Sequence, residues 1–348
     1  MLLRRLARLD RVDRAALGLL VAFFVWAAIS AILQGHTMPG GSPYFWAPVF
    51  MATGVAAGRW AAPRPWLPPA GILVVSFCLW STVTTGASAG SGPLGYANAN
   101  AALGILLAAV AGLVSLGLTG VPRVVLILTA LGALTMPALG SSKAGVAVSV
   151  LVAFAGLAML LRRPPSAAWP LALGPVILAA AAAIVGWGAS HPRLPHLAEA
   201  ALDPARHQLW RDAYALWLQS PITGSGPGSF ARFSPLAADP DTATAHSALL
   251  QVAAETGLIG IGLWTLLIAA GFVLAGRASR RAAWLAAAAW TALAVHSFAD
   301  HLLEFPAVTF TAGVVLGLAG RVVPRSPEAD RVTQPAGADR LTRHRSTS

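Results

Sequence analysis

Charge is what this sequence has least of. Of its 348 residues, 11% are Asp, Glu, Lys or Arg, whereas 56% are hydrophobic and the mean hydropathy is +0.68. A soluble domain carries about 25% charged residues, so most of the surface of this chain does not face water. Cysteine is nearly absent as well. The single Cys78 excludes an intrachain disulfide and leaves the redox compartment open. No secretory signal peptide is visible: the apolar stretch behind the N-terminal arginines is about twenty residues long, lacks a clear small-residue cleavage site, and reads as a first membrane helix. The net charge of +11 does not point to nucleic acid, because the basic residues fall between apolar runs.

What the chain does have is apolar runs of spanning length. A bilayer core needs roughly 20 apolar residues per helix. Ten runs qualify, at about 14–34, 44–61, 66–86, 96–118, 121–139, 144–162, 168–189, 258–276, 282–298 and 305–323. The second is the weakest, with Arg59 at its end and Pro48 inside it. The pattern predicts an all-α polytopic membrane protein with about ten transmembrane helices and one long outer loop. Residues 1–323 form the membrane domain. Within it, the loop at 189–257 carries a helix near 204–219 and a short helix near 246–255. Residues 324–348, rich in Pro, Ser, Thr and charge, form a disordered basic tail.

Orientation follows from the basic residues, which favour the cytoplasmic side of the membrane. With a cytoplasmic N-terminus, 19 of the 24 Lys and Arg residues lie inside. The exceptions are Lys143, Arg193, Arg206, Arg211 and Arg232. Seven of the eight histidines also fall outside: His36, His191, His196, His207, His246, His296 and His301. Both termini are then cytoplasmic, and the unusual ionisable groups gather at the outer face.

In the long loop, Asp203-Pro204 is a helix start, with Asp as cap and Pro at the first helical position. Leu209, Trp210, Ala213, Leu216 and Trp217 make an apolar stripe, and Arg206 falls on it, four residues before Trp210. Arg211 lies on the polar face. The segment PITGSGPGSF follows, with Gly224, Gly226 and Gly228 alternating. It is no dinucleotide fingerprint, since no strand precedes it. Either it is a tight turn, or it points backbone N–H groups at an anion.

The stretch HSALLQVAAETGLIG begins at His246. Thr256-Gly257 breaks or re-aims its helical spacing, and the nineteen apolar residues from Leu258 to Gly276 suffice to span alone. His246 and Glu255 are nine residues apart, about 180° round a helix of 3.6 residues per turn. They do not face one small ligand from a single straight helix, so one is a candidate for chemistry and the other for structure. HSFADHLLE, at 296–304, clusters His296, Asp300, His301 and Glu304. Its histidines are five apart, poorly matched to one helical face, which favours a polar cluster at the outer mouth over a metal site.

An outward set of cations and imidazoles suits an anion held at the membrane, such as a lipid diphosphate. Arginine binds phosphate oxygens through two donors, and histidine accepts a proton near neutral pH. Stabilising a leaving group and activating a hydroxyl are the two needs of glycosyl transfer.

Four stretches resemble the O-antigen ligase and polymerase superfamily of integral membrane glycosyltransferases. They are GYANANAAL at 95–103, SSKAG at 141–145, RHQLWRDAYALWLQSPITGSGPGSF at 206–230, and HSALLQVAAETGLIG. The last two are the specific ones. The resemblance implies an inverting transfer without metal, cofactor or nucleotide sugar. A glycan moves from undecaprenyl diphosphate to an acceptor hydroxyl, on a lipid or a glycan, at the periplasmic face of a bacterial inner membrane. It implies that Arg206 holds the diphosphate together with Lys143 and Arg211. His246 orients or deprotonates the acceptor. Glu255, Asn98, Tyr96, Gly224 and Gly226 are supporting candidates. Two positions depart from the family pattern. Lys143 stands where an arginine is commoner, keeping the charge but losing the two-donor fork; Ser247 replaces an asparagine after the histidine. A transporter or flippase of lipid-linked oligosaccharides is the rival reading. It requires ionisable groups near the midplane in broken helices.

Overall fold

The computed structural model describes residues 10–37, 43–64, 69–73, 75–76, 92–161, 164–239 and 242–320. Most of the run predicted at 66–86 and the whole tail at 324–348 lie outside the described residues. Among those described, regular structure is helical and no strand occurs.

Thirteen α-helices are labelled here in chain order: α1 (Arg11–Leu33), α2 (Pro43–Ala61), α3 (Ala97–Ser115), α4 (Gly120–Leu134), α5 (Met136–Leu139), α6 (Lys143–Leu160), α7 (Ala168–Ser190), α8 (His196–Ala201), α9 (Pro204–Gln219), α10 (Ser229–Phe233), α11 (Ala248–Gly276), α12 (Arg280–Phe298) and α13 (Pro306–Ala319). Six stretches are long and apolar enough to cross a membrane: α1, α3, α4 with α5, α6, α7 and α11. These are counted among the described residues, which leave out most of the run at 66–86. Two other runs fall short for local reasons. Arg280 and Arg281 open α12 and His296 closes it. Helix α13 has 14 residues, about 21 Å at 1.5 Å per residue, against a hydrocarbon core of about 30 Å.

Helix α3 is the centre of the bundle. Nearly its whole length is buried, from Ala99 to Leu113, packed by α4, α6, α12 and α13. The peripheral helices turn apolar residues outward instead. On α6 these are Val146, Val150, Phe154 and Leu157; on α4 they are Val121, Val124, Leu128 and Leu131. Such faces, three and four residues apart, belong against lipid. Helices α2 and α13 pack backbone to backbone. A Cβ on Gly54 would fall 2.1 Å from the Phe310 carbonyl oxygen, and one on Gly313 would fall 2.1 Å from that of Met51. Gly58 and Gly317 repeat the close approach four residues on, the small-residue spacing that lets membrane helices meet.

Helix α11 is kinked where Thr256-Gly257 predicts. Gly257 has φ 65° and ψ −166°, a conformation essentially restricted to glycine. The break leaves backbone groups without helical partners, and neighbours supply them. Leu258 N–H donates to the Pro221 carbonyl at 2.9 Å. From α1, Trp26 Nε1 donates to the Thr256 carbonyl at 2.8 Å and Ser30 Oγ to the Glu255 carbonyl at 2.9 Å. Gln34, one turn further, reaches the Gly224 carbonyl at 2.9 Å. Buried non-helical backbone persists only when its polar groups are satisfied in this way.

The ends of the bundle differ in chemistry. At one end Arg59 pairs with Asp13 at 2.7 Å and Arg277 with Asp10 at 2.5 Å. Arg277 is the main cause holding the Asp10 carboxyl below its ordinary range. The opposite end carries the site described next.

Candidate functional site around Asp300

Asp300 follows the end of α12 and its side chain is fully buried. A carboxylate without water must find donors among protein groups. The Tyr96 hydroxyl donates to it, 3.0 Å from both oxygens. Asn98 Nδ2 donates to Oδ2. His301 Nδ1 lies 2.9 Å from Oδ1, and His246 Nδ1 lies 3.7 Å from the same oxygen. Arg206 Nη2 approaches Oδ2 at 3.5 Å and donates to the Tyr96 hydroxyl at 3.3 Å; Nη1 donates to the Ala299 carbonyl at 2.9 Å. Burial pushes the Asp300 carboxyl up, but the His301 hydrogen bond and the Arg206 charge outweigh it and hold it well below the usual carboxylate range. At neutral pH Asp300 is an anion.

Each partner arrives on an element the sequence sets up locally. Arg206 stands on the first turn of α9, which starts at Pro204 with the Asp203 carboxylate capping Ala205 N–H at 2.8 Å. Leu209, Trp210, Ala213 and Leu216 are buried, so the stripe carrying Arg206 faces inward. Trp210 Nε1 donates to the His246 carbonyl at 3.2 Å, joining α9 to the histidine. His246 itself has φ 47°, a left-handed conformation uncommon outside glycine. Ser247 caps the following helix by accepting from Leu250 N–H at 3.2 Å. The predicted short helix therefore starts at Ala248 rather than at His246, because the histidine is turned out of helical geometry ahead of the cap. His301 and His246 meet edge to face, with ring centroids 4.3 Å apart. Tyr96 stacks on Phe305 at 5.7 Å and lies 4.7 Å from the His301 ring.

Of the site residues that the resemblance implies, four belong to this network: His246, Arg206, Tyr96 and Asn98. The last is also fixed by Ser142, whose hydroxyl donates to Asn98 Oδ1 at 2.5 Å. Lys143 is the next residue, exposed at the start of α6. It stands one residue beyond the network, not in it. Arg211 is half-buried on α9 and makes none of these bonds. Glu255 is buried elsewhere: its Oε1 accepts from Phe230 N–H at 3.1 Å. Gly224 and Gly226 adopt positive φ, and their N–H groups go to the Ser220 and Glu255 carbonyls at 2.8 and 3.0 Å. Of the two readings of this loop, the turn fits; those donors are occupied and are not aimed at an anion. A Cβ on Gly224 would fall 2.4 Å from the Glu255 carbonyl oxygen.

Asp300 and His301 are the residues the sequence reading placed in a general polar cluster rather than at the centre. His296 is buried in the last turn of α12, and Glu304 lines a cleft beside His301. His246, Asp300 and His301 bring one possible ligand atom each within 4.8 Å of one another. The donor set argues against a cation there. Both Asp300 oxygens already accept from Tyr96, with Asn98, His301 and Arg206 adding to them, and a metal would lie close to the Arg206 guanidinium.

One end of this helical multi-pass membrane protein thus gathers an arginine, a buried carboxylate and two imidazoles. Residues 126–265 match the family model Wzy_C, O-antigen ligase, so this segment is similar to that family. Arg206 and His246 fall inside the matched segment, and Tyr96, Asp300 and His301 outside it. No curated protein matches the chain.

Proposed function

We propose that the chain transfers a glycan from undecaprenyl diphosphate to an acceptor hydroxyl, as a ligase or polymerase of the periplasmic face. The observation that carries this reading is the Asp300 carboxylate, which holds a guanidinium and two imidazoles within one network. Arg206 offers charge to the diphosphate, and Lys143 and Arg211, placed beside the network, add to it. The acceptor oxygen attacks the anomeric carbon, and the bond from that carbon to the diphosphate oxygen breaks. The diphosphate leaves with the bonding electrons, and the acceptor proton passes to an imidazole. A single displacement inverts the anomeric centre. Asp300, filled with donors, does not act as nucleophile; it orients the histidines and stabilises the imidazolium that forms.

The test is glycan transfer by the purified protein from a defined undecaprenyl-diphosphate glycan to candidate acceptors. The Arg206→Ala and His246→Ala variants are expected to lose transfer. Wild-type rates in both overturn the assignment, and movement of lipid-linked glycan across a bilayer without a new glycosidic bond supports the transporter instead.

A further inference from the structure

Helices α4 and α6 follow one another through the short turn at α5, and both pack on α3, yet they barely meet each other. A groove of about 810 Å³ lies between them. Its floor is α3, where the small residues Ala108, Gly112 and Ser115 leave the space open, with Leu285 of α12 against Gly112. Ile127 and Leu131 of α4 form one wall, and Ala153, Gly156 and Leu157 of α6 form the other. Gly156 adds room of its own: a Cβ there meets nothing within 4 Å. The groove shares no residue with the Asp300 network.

Its chemistry changes from one end to the other. Arg123, in the first turn of α4, stands at the mouth. Among the described residues nothing pairs with its guanidinium, and no Asp or Glu lines the groove. Arg281 stands at the same end and donates to the Leu161 carbonyl at 3.1 Å, just past the wall residue Leu160. The acidic residues described at this end, Asp10 and Asp13, are taken by Arg277 and Arg59. Ser115 donates its hydroxyl to the Gly112 carbonyl at 2.7 Å. From Arg123 the lining runs apolar along α4 as far as Leu134. Those residues span about 16 Å at 1.5 Å each, the depth of one leaflet in a hydrocarbon core of about 30 Å.

We infer that this groove binds a phospholipid with an anionic headgroup, taken from the leaflet opposite the Asp300 site. The phosphate sits on Arg123, and one acyl chain lies between α4 and α6. A guanidinium gives phosphate oxygens two parallel donors, and no carboxylate in the lining repels them. The apolar length fits an acyl chain of one leaflet, and the mouth opens away from the reacting groups, so the occupant is not a substrate of the proposed transfer. The bound lipid braces two helices whose connecting turn carries Ser142, the hydroxyl that holds Asn98 beside Asp300.

The test uses full-length protein in nanodiscs and two lipid probes with the same photoreactive acyl chain, one a phosphatidylglycerol and the other a phosphatidylcholine. Labelled residues are located by peptide mass spectrometry. The phosphatidylglycerol is expected to label Ile127, Leu131 or Leu157 about fivefold more than the phosphatidylcholine does, the scale of one basic residue's hold on an anionic headgroup. Arg123→Gln is expected to remove that preference. Gly156→Leu places a side chain in the open space and is expected to abolish labelling of the groove by either probe. Ala153→Phe is a second, independent block should the first variant be recovered poorly. Ile184→Phe, on the exposed face of α7, is the control and is expected to change nothing. Equal labelling by the two probes makes the groove an ordinary lipid contact and overturns the inference. So does a preference that survives Arg123→Gln, or labelling that both blocks leave unchanged. Displacement of the probe by inorganic phosphate assigns Arg123 to a free anion, and displacement by a polyprenyl diphosphate assigns the groove to a substrate; either result also overturns it.

Discussion

Two buried acidic groups, Asp300 and Glu255, sit near opposite ends of the same short helical segment and are satisfied in different ways. Glu255 accepts the backbone N–H of Phe230 and so ties the glycine-rich turn to the kink of α11. Asp300 accepts one backbone N–H, that of His301 at 2.8 Å, and otherwise takes its donors from side chains: Tyr96, Asn98, His301 and Arg206. A carboxylate bound to backbone fixes a fold. One bound to an arginine and imidazoles fixes a set of movable charges and protons. The same acidic chemistry thus yields an anchor in one place and an organiser in the other.

Substitutions test this contrast. The largest effect on turnover is expected from Asp300→Ala, which unlocks Arg206 and both histidines at once. Transfer should fall by about 10³-fold, in the range seen when preorganised electrostatics are removed, with Asp300→Asn intermediate; near wild-type turnover in Asp300→Ala means that the cluster is not the organiser. His246→Ala and His301→Ala are each expected to lose about 10²-fold or more, as for a general base. Comparing the two tells which imidazole takes the proton. The anchor should respond in stability instead. Glu255→Ala leaves Phe230 N–H unpaired, at a cost of about 1–3 kcal/mol, read as a lower melting temperature in detergent. Glu255→Gln keeps an acceptor and should recover most of it. A turnover defect in Glu255→Gln at unchanged melting temperature breaks the comparison. The smallest effects are expected from Lys143→Ala and Arg211→Ala. Each should raise the donor KM a few-fold, with more at low salt, since they stand beside the network and are partly screened.

Acidity gives a further check. Asp300 is held below its unfolded pKa, so its ionisation favours the folded state at neutral pH, and that contribution fades as pH falls below the unfolded value of about 4. The melting difference between wild type and Asp300→Asn is therefore expected to be constant from pH 8 to about 5. A difference that shrinks already near pH 6 means that the carboxyl is not held ionised.

The kink was legible in the sequence because glycine after threonine interrupts an otherwise clean apolar run. The inward face of α9 was legible from its stripe, with Arg206 on it. The centre of the site was not. Tyr96 and Asp300 are 204 residues apart, and periodicity says nothing about which helix ends meet. Asp300 also lies between helices, where spacing rules have no force. Nor does an apolar run alone say which segments cross the membrane. An apolar run buried among other helices, such as Ala307–Val315 in α13, looks like one facing lipid until its neighbours are known. Nor did the glycines of α2 and α13 advertise their partners, since each half of the contact is an ordinary small residue until the other half is placed.

Three side chains in and just after α1 that serve the kink and the adjoining glycine-rich loop carry a consequence for biogenesis. Trp26, Ser30 and Gln34 lie more than two hundred residues ahead of the carbonyls they serve, apart from Gln34 at 190. Synthesis delivers α1 first, so a partner is already waiting when Gly257 leaves the ribosome. A chain begun after α1 would insert α11 with those carbonyls unpaired, and quality control would meet it as an unfinished protein.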